Sequence, residues 1–358
     1  MSVAAPRDVA RMRTEDFVYA LPHDRIAQEP PAHRDASRLL HVAPDGTLHD
    51  RRFAELPGLM RPGDLLVAND TRVRKARLRG RVDDGSTVEL LVLERVTDGI
   101  HRCLVQPAKR VRPGACVVVS DALSATCLGL AEEHPGARDM AFTARAGGDV
   151  EAAIDDCGTA PVPPYIRKEL ADAGRYQTLY ARGAPESAAA PTAGLHFTPS
   201  VLDALRRRGV GWTTVRLNVG LATFAPIRTA SIDDHRMHEE AYQLPSDAAA
   251  AVMAARTAGG RVIAVGTTVV RVLESCASSD GTVRPRSGRT RLYIKPGHEF
   301  RVVDGLLTNF HQPRSSLLVL LAAFIGTDGW RAAYGHALSN RYRFLSFGDC
   351  MLCWHAGA

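Results

Sequence analysis

Residues 261–274 read RVIAVGTTVVRVLE, and the passage from strand to helix inside them decides the fold. The run RVIAVG, 261–266, has the unbroken apolar character of a buried-type strand. Gly266-Thr267-Thr268 then turns the chain into a helix through Glu274. Toward the C-terminus, LLTNF reads as another strand, ending at His311-Gln312-Pro313, with Ser315 or Ser316 placed to cap the apolar helix beyond. Toward the N-terminus, Thr198-Pro199 supplies a capping hydroxyl and a first-turn proline for a helix over 200–208, which Gly209 closes before a strand over 212–217. Further back, Pro62-Gly63-Asp64 turns into the apolar strand Leu65-Leu66-Val67-Ala68, which ends in the polar run Asn69-Asp70-Thr71-Arg72. Residues 38–42 form one more strand. Alternating strands and helices of this kind make a layered α/β sandwich.

Between about Arg72 and Asp156 the text changes to short β-like runs, ARLRGRV, STVELLVLERV, HRCLVQPAKRV, ACVVVS and MAFTARA, separated by Gly, Pro and Asp turns. That spacing predicts a small closed barrel. The expected fold is therefore α/β, a discontinuous α/β sandwich domain (1–71 and 157–358) with an inserted small β-barrel domain (72–156).

The 358-residue length suits two domains, and 45% hydrophobic with 23% charged residues excludes a disordered chain. The longest apolar stretch, Leu317 to Gly326, is about half of the roughly 20 residues a membrane helix needs, so it reads as buried helix. The N-terminal MSVAAPRDVARMRTEDF lacks an apolar core of signal-peptide length, and the chain is expected to be cytoplasmic and monomeric, with no membrane partner. Seven scattered cysteines suggest reduced thiols; Cys350 and Cys353 form one CxxC pair without the further ligands of a zinc site, so no metal is expected. A net charge of +6 and a pI near 9.1 suit a polyanionic partner without requiring one.

Four loops carry residue types suited to chemistry. In Ala190-Pro191-Thr192-Ala193-Gly194-Leu195-His196-Phe197, small residues let a flat ligand approach the backbone, and His196 is a candidate to take and return a proton; a histidine filling the loop is the plainer reading. Gly266-Thr267-Thr268 offers free N–H groups and hydroxyls for a nucleoside or carboxylate, yet lacks the Gly-x-Gly-x-x-Gly and Walker patterns of dinucleotide and triphosphate sites. In Thr308-Asn309-Phe310-His311, Asn309 can read a base edge, Phe310 can stack, and His311 is a second proton carrier. Asp234-His235-Arg236-Met237-His238 sets two imidazoles three residues apart, able to share one side of a helical turn and contact ribose or base, or simply to form a solvated turn. Asp70, at the polar end of its strand, joins the catalytic candidates. Arg72, Arg74, Lys75, Arg77, Arg79 and Arg81 form the densest basic run; on a strand the last three share a face that can track phosphates or merely keep a barrel soluble.

Together NDTRV, YQTLY, APTAGLHFT, DHRMHEE, RVIAVGTT, VVDGLLTNFH and YRFLSFGD, running in order from about Asp16 to about Leu352, resemble the motif series of the queuosine-pathway ribosyltransferase-isomerases. The resemblance implies an inserted β-barrel on an α/β domain, S-adenosylmethionine as ribosyl donor, and tRNA carrying 7-aminomethyl-7-deazaguanine at the wobble position. It implies epoxyqueuosine-tRNA, adenine and methionine as products, and no metal. The expected roles are catalysis by His196, His311 and Asp70, cofactor binding by Thr192, Ala193, Gly194, Gly266, Thr267, Thr268 and Asn309, and tRNA binding by Arg72, Arg74, Arg77, Arg79, His235 and His238. Lys75, Ala222, Gln312 and Cys350 depart from the family pattern, which usually has proline, glycine, leucine and alanine there. A non-catalytic tRNA-binding protein on the same scaffold is the alternative.

Overall fold

The computed structural model describes residues 12–131, 136–220 and 225–355, so Ala222 lies outside the described residues. The first strands are β1 (Arg38–Val42), β2 (Leu48–Arg52), β3 (Leu65–Asn69) and β4 (Arg72–Val73). A barrel follows, built from β5 (Arg77–Arg81), β6 (Thr87–Thr97), β7 (Ile100–Gln106), β8 (Cys116–Ser120), β9 (Leu123–Leu130) and β10 (Ala137–Ala144). The chain continues through β11 (Pro185–Ser187), β12 (Gly211–Leu217), β13 (Glu240–Leu244), β14 (Val262–Val265), β15 (Arg286–Thr290), β16 (Gly305–Asn309) and β17 (Cys350–Trp354). The helices are α1 (Leu56–Leu59), α2 (Val150–Cys157), α3 (Pro199–Arg207), α4 (Ser246–Thr257), α5 (Thr267–Cys276), α6 (Ser316–Ile325) and α7 (Thr327–Ser339).

Nine strands form one sheet in the order β15-β13-β12-β3-β14-β16-β17-β1-β2. Its centre is parallel: β12 with β3, β3 with β14, and β14 with β16. β17 runs antiparallel to β16. β14 shows why an unbroken apolar run belongs here. Val262 and Ala264 enter one core with α4 to α7, while Ile263 and Val265 enter the other with α1 and α3. The helix caps match the sequence reading: Thr198 accepts from Val201 N, and Ser315, rather than Ser316, accepts from Leu318 N. The apolar run after it is the buried helix α6; no single described helix is long and apolar enough to cross a membrane. Cys350 and Cys353, both on β17, join the cores on opposite faces of the sheet and so cannot chelate one ion together.

The barrel closes in the order β10-β7-β6-β5-β8-β9. Five of its strands occupy the runs read from the sequence. The sixth, β9 (LSATCLGL), escapes that reading because its inward positions Leu123, Ala125 and Cys127 are mostly small, which blurs the two-residue alternation. On β5, Leu78 and Gly80 face inward and Arg79 and Arg81 outward, with Arg77 partly covered.

The barrel is entered and left at one point. Arg77 N donates to Thr159 O (3.2 Å), and Thr159 N donates back to Arg77 O (2.9 Å). Beside this pair, Glu151 of α2 binds Arg74 (2.8 Å) and the fully buried His101 of β7 (2.6 Å). Gly158 closes the passage: a Cβ there would lie 1.9 Å from Lys75 O and 2.7 Å from Ile154 O, both backbone atoms that cannot turn aside. Gly158→Ala is therefore expected to cost about 1–3 kcal/mol in urea unfolding, the usual penalty of overpacking. Gly129→Ala, with no neighbour within 4 Å, should stay within about 0.5 kcal/mol of the parent. Equal midpoints for the two variants would show that the passage is loosely packed.

Candidate functional site

Four neighbouring parallel strands end on the same edge of the sheet, and a cleft with about 660 Å³ of open space lies there. Val219 follows β12, Gly266, Thr267 and Thr268 follow β14, and Thr308 and Asn309 close β16 before Phe310, His311 and Gln312. The turn at 190–193 forms another wall, and Leu345 and Ser346, in the loop feeding the antiparallel β17, form a third with Tyr165. Among the described residues, no Asp, Glu, Lys or Arg lines the cleft.

Local sequence explains each position. Gly266 has φ +96°, a left-handed backbone that glycine tolerates and side chains resist, and it lets α5 start directly at the cleft with its first N–H groups unspent. Thr268 Oγ1 is held by Asn69 Nδ2 (3.3 Å), and Asn69 also ties β3 to β12 through Leu217 N and O (3.1 and 2.9 Å). Leu345 has φ +70°, a strained setting for a branched side chain. Its backbone is fixed at both ends, N donating to Phe310 O (3.1 Å) and O accepting from Asn309 Nδ2 (3.0 Å).

Asn309 is 3% exposed and its amide orientation is set by two acceptors, Leu345 O and His196 Nε2 (3.3 Å). Its Oδ1 is buried with no partner among the described residues, an acceptor left over at the cleft. His196 must then carry its proton on Nδ1, which lies 2.9 Å from Ser37 Oγ. Burial lowers its pKa to about 4, opposed by the Asn309 hydrogen bond and reinforced by the charges of Arg343 and Arg34. His311 is lowered to about 3 by burial, with Nε2 on Thr308 Oγ1 (2.9 Å), its N donating to Tyr334 Oη (2.7 Å) and its O accepting from Tyr19 Oη. Both rings are neutral near pH 7.

The cleft thus gathers Thr192, Ala193, Gly266, Thr267, Thr268, Asn309 and His311. Gly194 belongs to the same turn but packs on Tyr180, where a Cβ would sit 2.0 Å from the hydroxyl oxygen. His196 stands behind Asn309 instead of lining the cleft. Asp70 is 8% exposed and engaged with Arg216 Nε (3.1 Å) and Thr214 Oγ1 (3.1 Å), outside the lining. Phe310 is no stacking platform: its ring is fully buried against Tyr334, Tyr342 and Phe344 at 4.8–5.6 Å. The helical turn expected to align His235 and His238 stops at Asp234, because Ser231 caps a single turn and His235 is already extended; His235 packs on Tyr293 and His238 is exposed. Of the basic run, Arg72 and Arg79 are exposed, Arg77 is shared between Glu89 (3.4 Å) and Val162 O (2.9 Å), and Arg74 is 6% exposed in its ion pair with Glu151. Lys75 is exposed at the barrel passage, and Gln312 lines the cleft. The sequence reading missed Tyr165 and the roles of Leu345 and Ser346, though YRFLSFGD contained the latter two.

Known proteins match this chain over nearly its whole length. The sequence model of a family described as queuosine biosynthesis protein covers residues 14–353. An Anaeromyxobacter dehalogenans protein named S-adenosylmethionine:tRNA ribosyltransferase-isomerase is 51% identical, over 95% of this chain and 99% of its own. A Rhodospirillum rubrum protein of the same name is 46% identical, over 96% and 99%. The crystal structure of a Thermotoga maritima S-adenosylmethionine tRNA ribosyltransferase aligns with TM-score 0.54 at 37% identity, covering 94% of this chain and 99% of that one. The barrel set into a mixed sheet, the converging loops and these matches lead to one statement: the chain belongs to the queuosine biosynthesis protein family.

Proposed function

We propose that this chain is an S-adenosylmethionine:tRNA ribosyltransferase-isomerase that works in the cleft at the ends of β12, β3, β14 and β16. It transfers and isomerises the ribosyl moiety of S-adenosylmethionine onto 7-aminomethyl-7-deazaguanine at the tRNA wobble position. The products are epoxyqueuosine-tRNA, adenine and methionine. The observation that carries this reading is the unspent Asn309 Oδ1, in a cleft that His311 also lines.

The chemistry follows from the lining. A sulfonium acidifies the ribose methylene next to it, and a cleft wall with no carboxylate gives the cation little stabilisation, so proton loss from that carbon is favoured. His311, which lines the cleft, is assigned that proton; the burial that keeps its ring neutral also makes it a weak base, so the step leans on the acidity that the sulfonium gives the carbon. The α5 N-terminus, with Thr267 and Thr268, offers N–H and hydroxyl groups to the methionine carboxylate. Asn309 Oδ1 accepts from an N–H of adenine or of the incoming base, and Thr192 and Ala193 let the nucleoside lie against the backbone. His196, in this reading, holds the Asn309 amide in its working orientation. Asp70 and Gly194 support the cleft through Arg216 and Tyr180. Arg72, just before the barrel, Arg79 on its outer face and Arg77, with the junction held by Arg74, are assigned to RNA contact, as are His235 and His238. The barrel, 72–156, acts as the RNA-binding domain, and 1–71 with 157–358 as the catalytic one, in a cytoplasmic monomer that needs no metal.

Incubating the protein with S-adenosylmethionine and tRNA bearing the aminomethyl base should release adenine and methionine. A methyl group appearing on RNA would replace this reading with methyl transfer, and RNA binding without adenine release would leave a non-catalytic binder. His311→Ala and Asn309→Ala should each lower the single-turnover rate by about 10²-fold or more, with tRNA affinity changed less than about threefold; normal rates in both would remove these side chains from the reaction. Because burial places both imidazole pKa values below the ordinary 6.5, protonation is deferred to about 4 for His196 and about 3 for His311. Nitrogen-15 shifts of both rings should therefore stay those of neutral imidazole from pH 8 to 5.5, and a midpoint near 6.5 would contradict the closed, dry packing.

A further inference from the structure

A second, shallow recess shares Ser346 with the cleft and has His196 in its wall. Arg34 and Arg175 line it beside Pro30 and Pro31. Arg34 donates to Leu195 O (3.0 Å) and Gly174 O (3.1 Å), and Arg175 to Pro31 O (2.5 Å) and Ala32 O (3.3 Å). All four acceptors are neutral backbone carbonyls. The neighbouring acids are engaged elsewhere: Asp35 accepts from Thr198, Asp172 from Gly174 N, and Glu29 pairs with Lys168 at 2.7 Å. Among the described residues neither guanidinium has an ion-pair partner, whereas Arg74, Arg216, Arg261 and Arg271 each have one.

Two like charges held beside one recess repel each other, and burial followed by the charge of Arg175 lowers the pKa of Arg34, with Asp172 acting the other way. Each guanidinium has five N–H donors and spends two, and Arg175 Nε is buried without a partner. An anion in the recess would relieve the repulsion and take up spare donors. Planar forks suit the two free oxygens of a phosphodiester, while the methionine carboxylate already has the α5 N-terminus inside the main cleft.

We propose that the mouth of this recess is a phosphate subsite, at which Arg34 and Arg175 hold a backbone phosphodiester of the tRNA next to the nucleoside whose base enters the cleft past Ser346. This rests on reading the chain as a tRNA-modifying enzyme. The subsite is wired to the cleft: Ser37 Oγ donates to Arg34 O (3.3 Å) and accepts from His196 Nδ1, whose Nε2 holds Asn309. A bound phosphate therefore bears on the same loop that orients the cleft amide.

The test uses anticodon stem-loop transcripts carrying a single neutral methylphosphonate linkage on either side of the target nucleoside, with affinity read by fluorescence anisotropy. For the parent protein, one of these linkages should weaken binding about tenfold, the worth of a charged hydrogen bond. Arg175→Ala should weaken binding of the unmodified stem-loop by a similar factor and make the slope of log Kd against log salt shallower by about 1. In that variant the sensitive linkage should matter less than about twofold. Arg34→Lys, which keeps the charge but loses the fork, should give the same pattern more weakly and stands in if Arg175→Ala does not fold. Linkages that weaken parent and variants equally would overturn the subsite. So would unchanged RNA affinity with weakened S-adenosylmethionine binding by calorimetry, which would assign the recess to the methionine carboxylate. Affinity is read without turnover, so absence of adenine release would sink the proposed reaction and leave this comparison intact; a parent protein that binds no stem-loop would sink the subsite.

Discussion

Parallel pairing of β12, β3, β14 and β16 makes four strands stop on one edge of the sheet, and everything at the cleft depends on that shared direction. Segments far apart in the chain, around 219, 266, 309 and 345, can meet only because their strands end or begin there. The antiparallel β17 completes the arrangement, since a strand running the other way must start where its neighbours finish. Its leading loop puts Leu345 over Asn309, and the left-handed backbone at Leu345 is tolerated because hydrogen bonds hold it on both sides.

Charge is sorted by position. Buried ion pairs support the cleft from outside it: Glu240 and Arg271, 6% and 4% exposed, face each other, and Glu240 also accepts from Gly220 N (2.9 Å), steadying the segment beside Val219. Breaking one half of such a pair would strand a charge in the interior, so the pair gives position to the loop more surely than it gives stability. The described lining itself is uncharged, which suits the proposed reaction, in which a proton is first removed next to a positive sulfur.

The sheet was readable from its apolar runs and capped helices, because four consecutive apolar residues such as Val262–Val265 have few other uses in a protein of this composition. Barrel strand β9 was not, since Ala125 and Cys127 carry little of the alternation that marks a strand. At the site, small-residue loops and strand-end polar residues pointed to Thr192, Gly266 and Asn309, but residue type alone could not separate a histidine in the cleft from one behind it. His196 and His311 differ in what surrounds them. Nor could spacing show that Arg74 is consumed by Glu151 while Arg34 and Arg175, distant in sequence, have no ion-pair partner among the described residues. Such pairings come from tertiary packing.

The reciprocal hydrogen bonds between Arg77 and Thr159 bring the outgoing and returning segments of the chain within one residue pair of each other. Among the described residues, none of the barrel strands pairs with a strand of the nine-stranded sheet. A change of length within the barrel would then lie between those two residues and leave the sheet's ladder in register. The barrel plugs in through this rung, the ion pair of Glu151 with Arg74 and the close packing of Gly158 on Lys75.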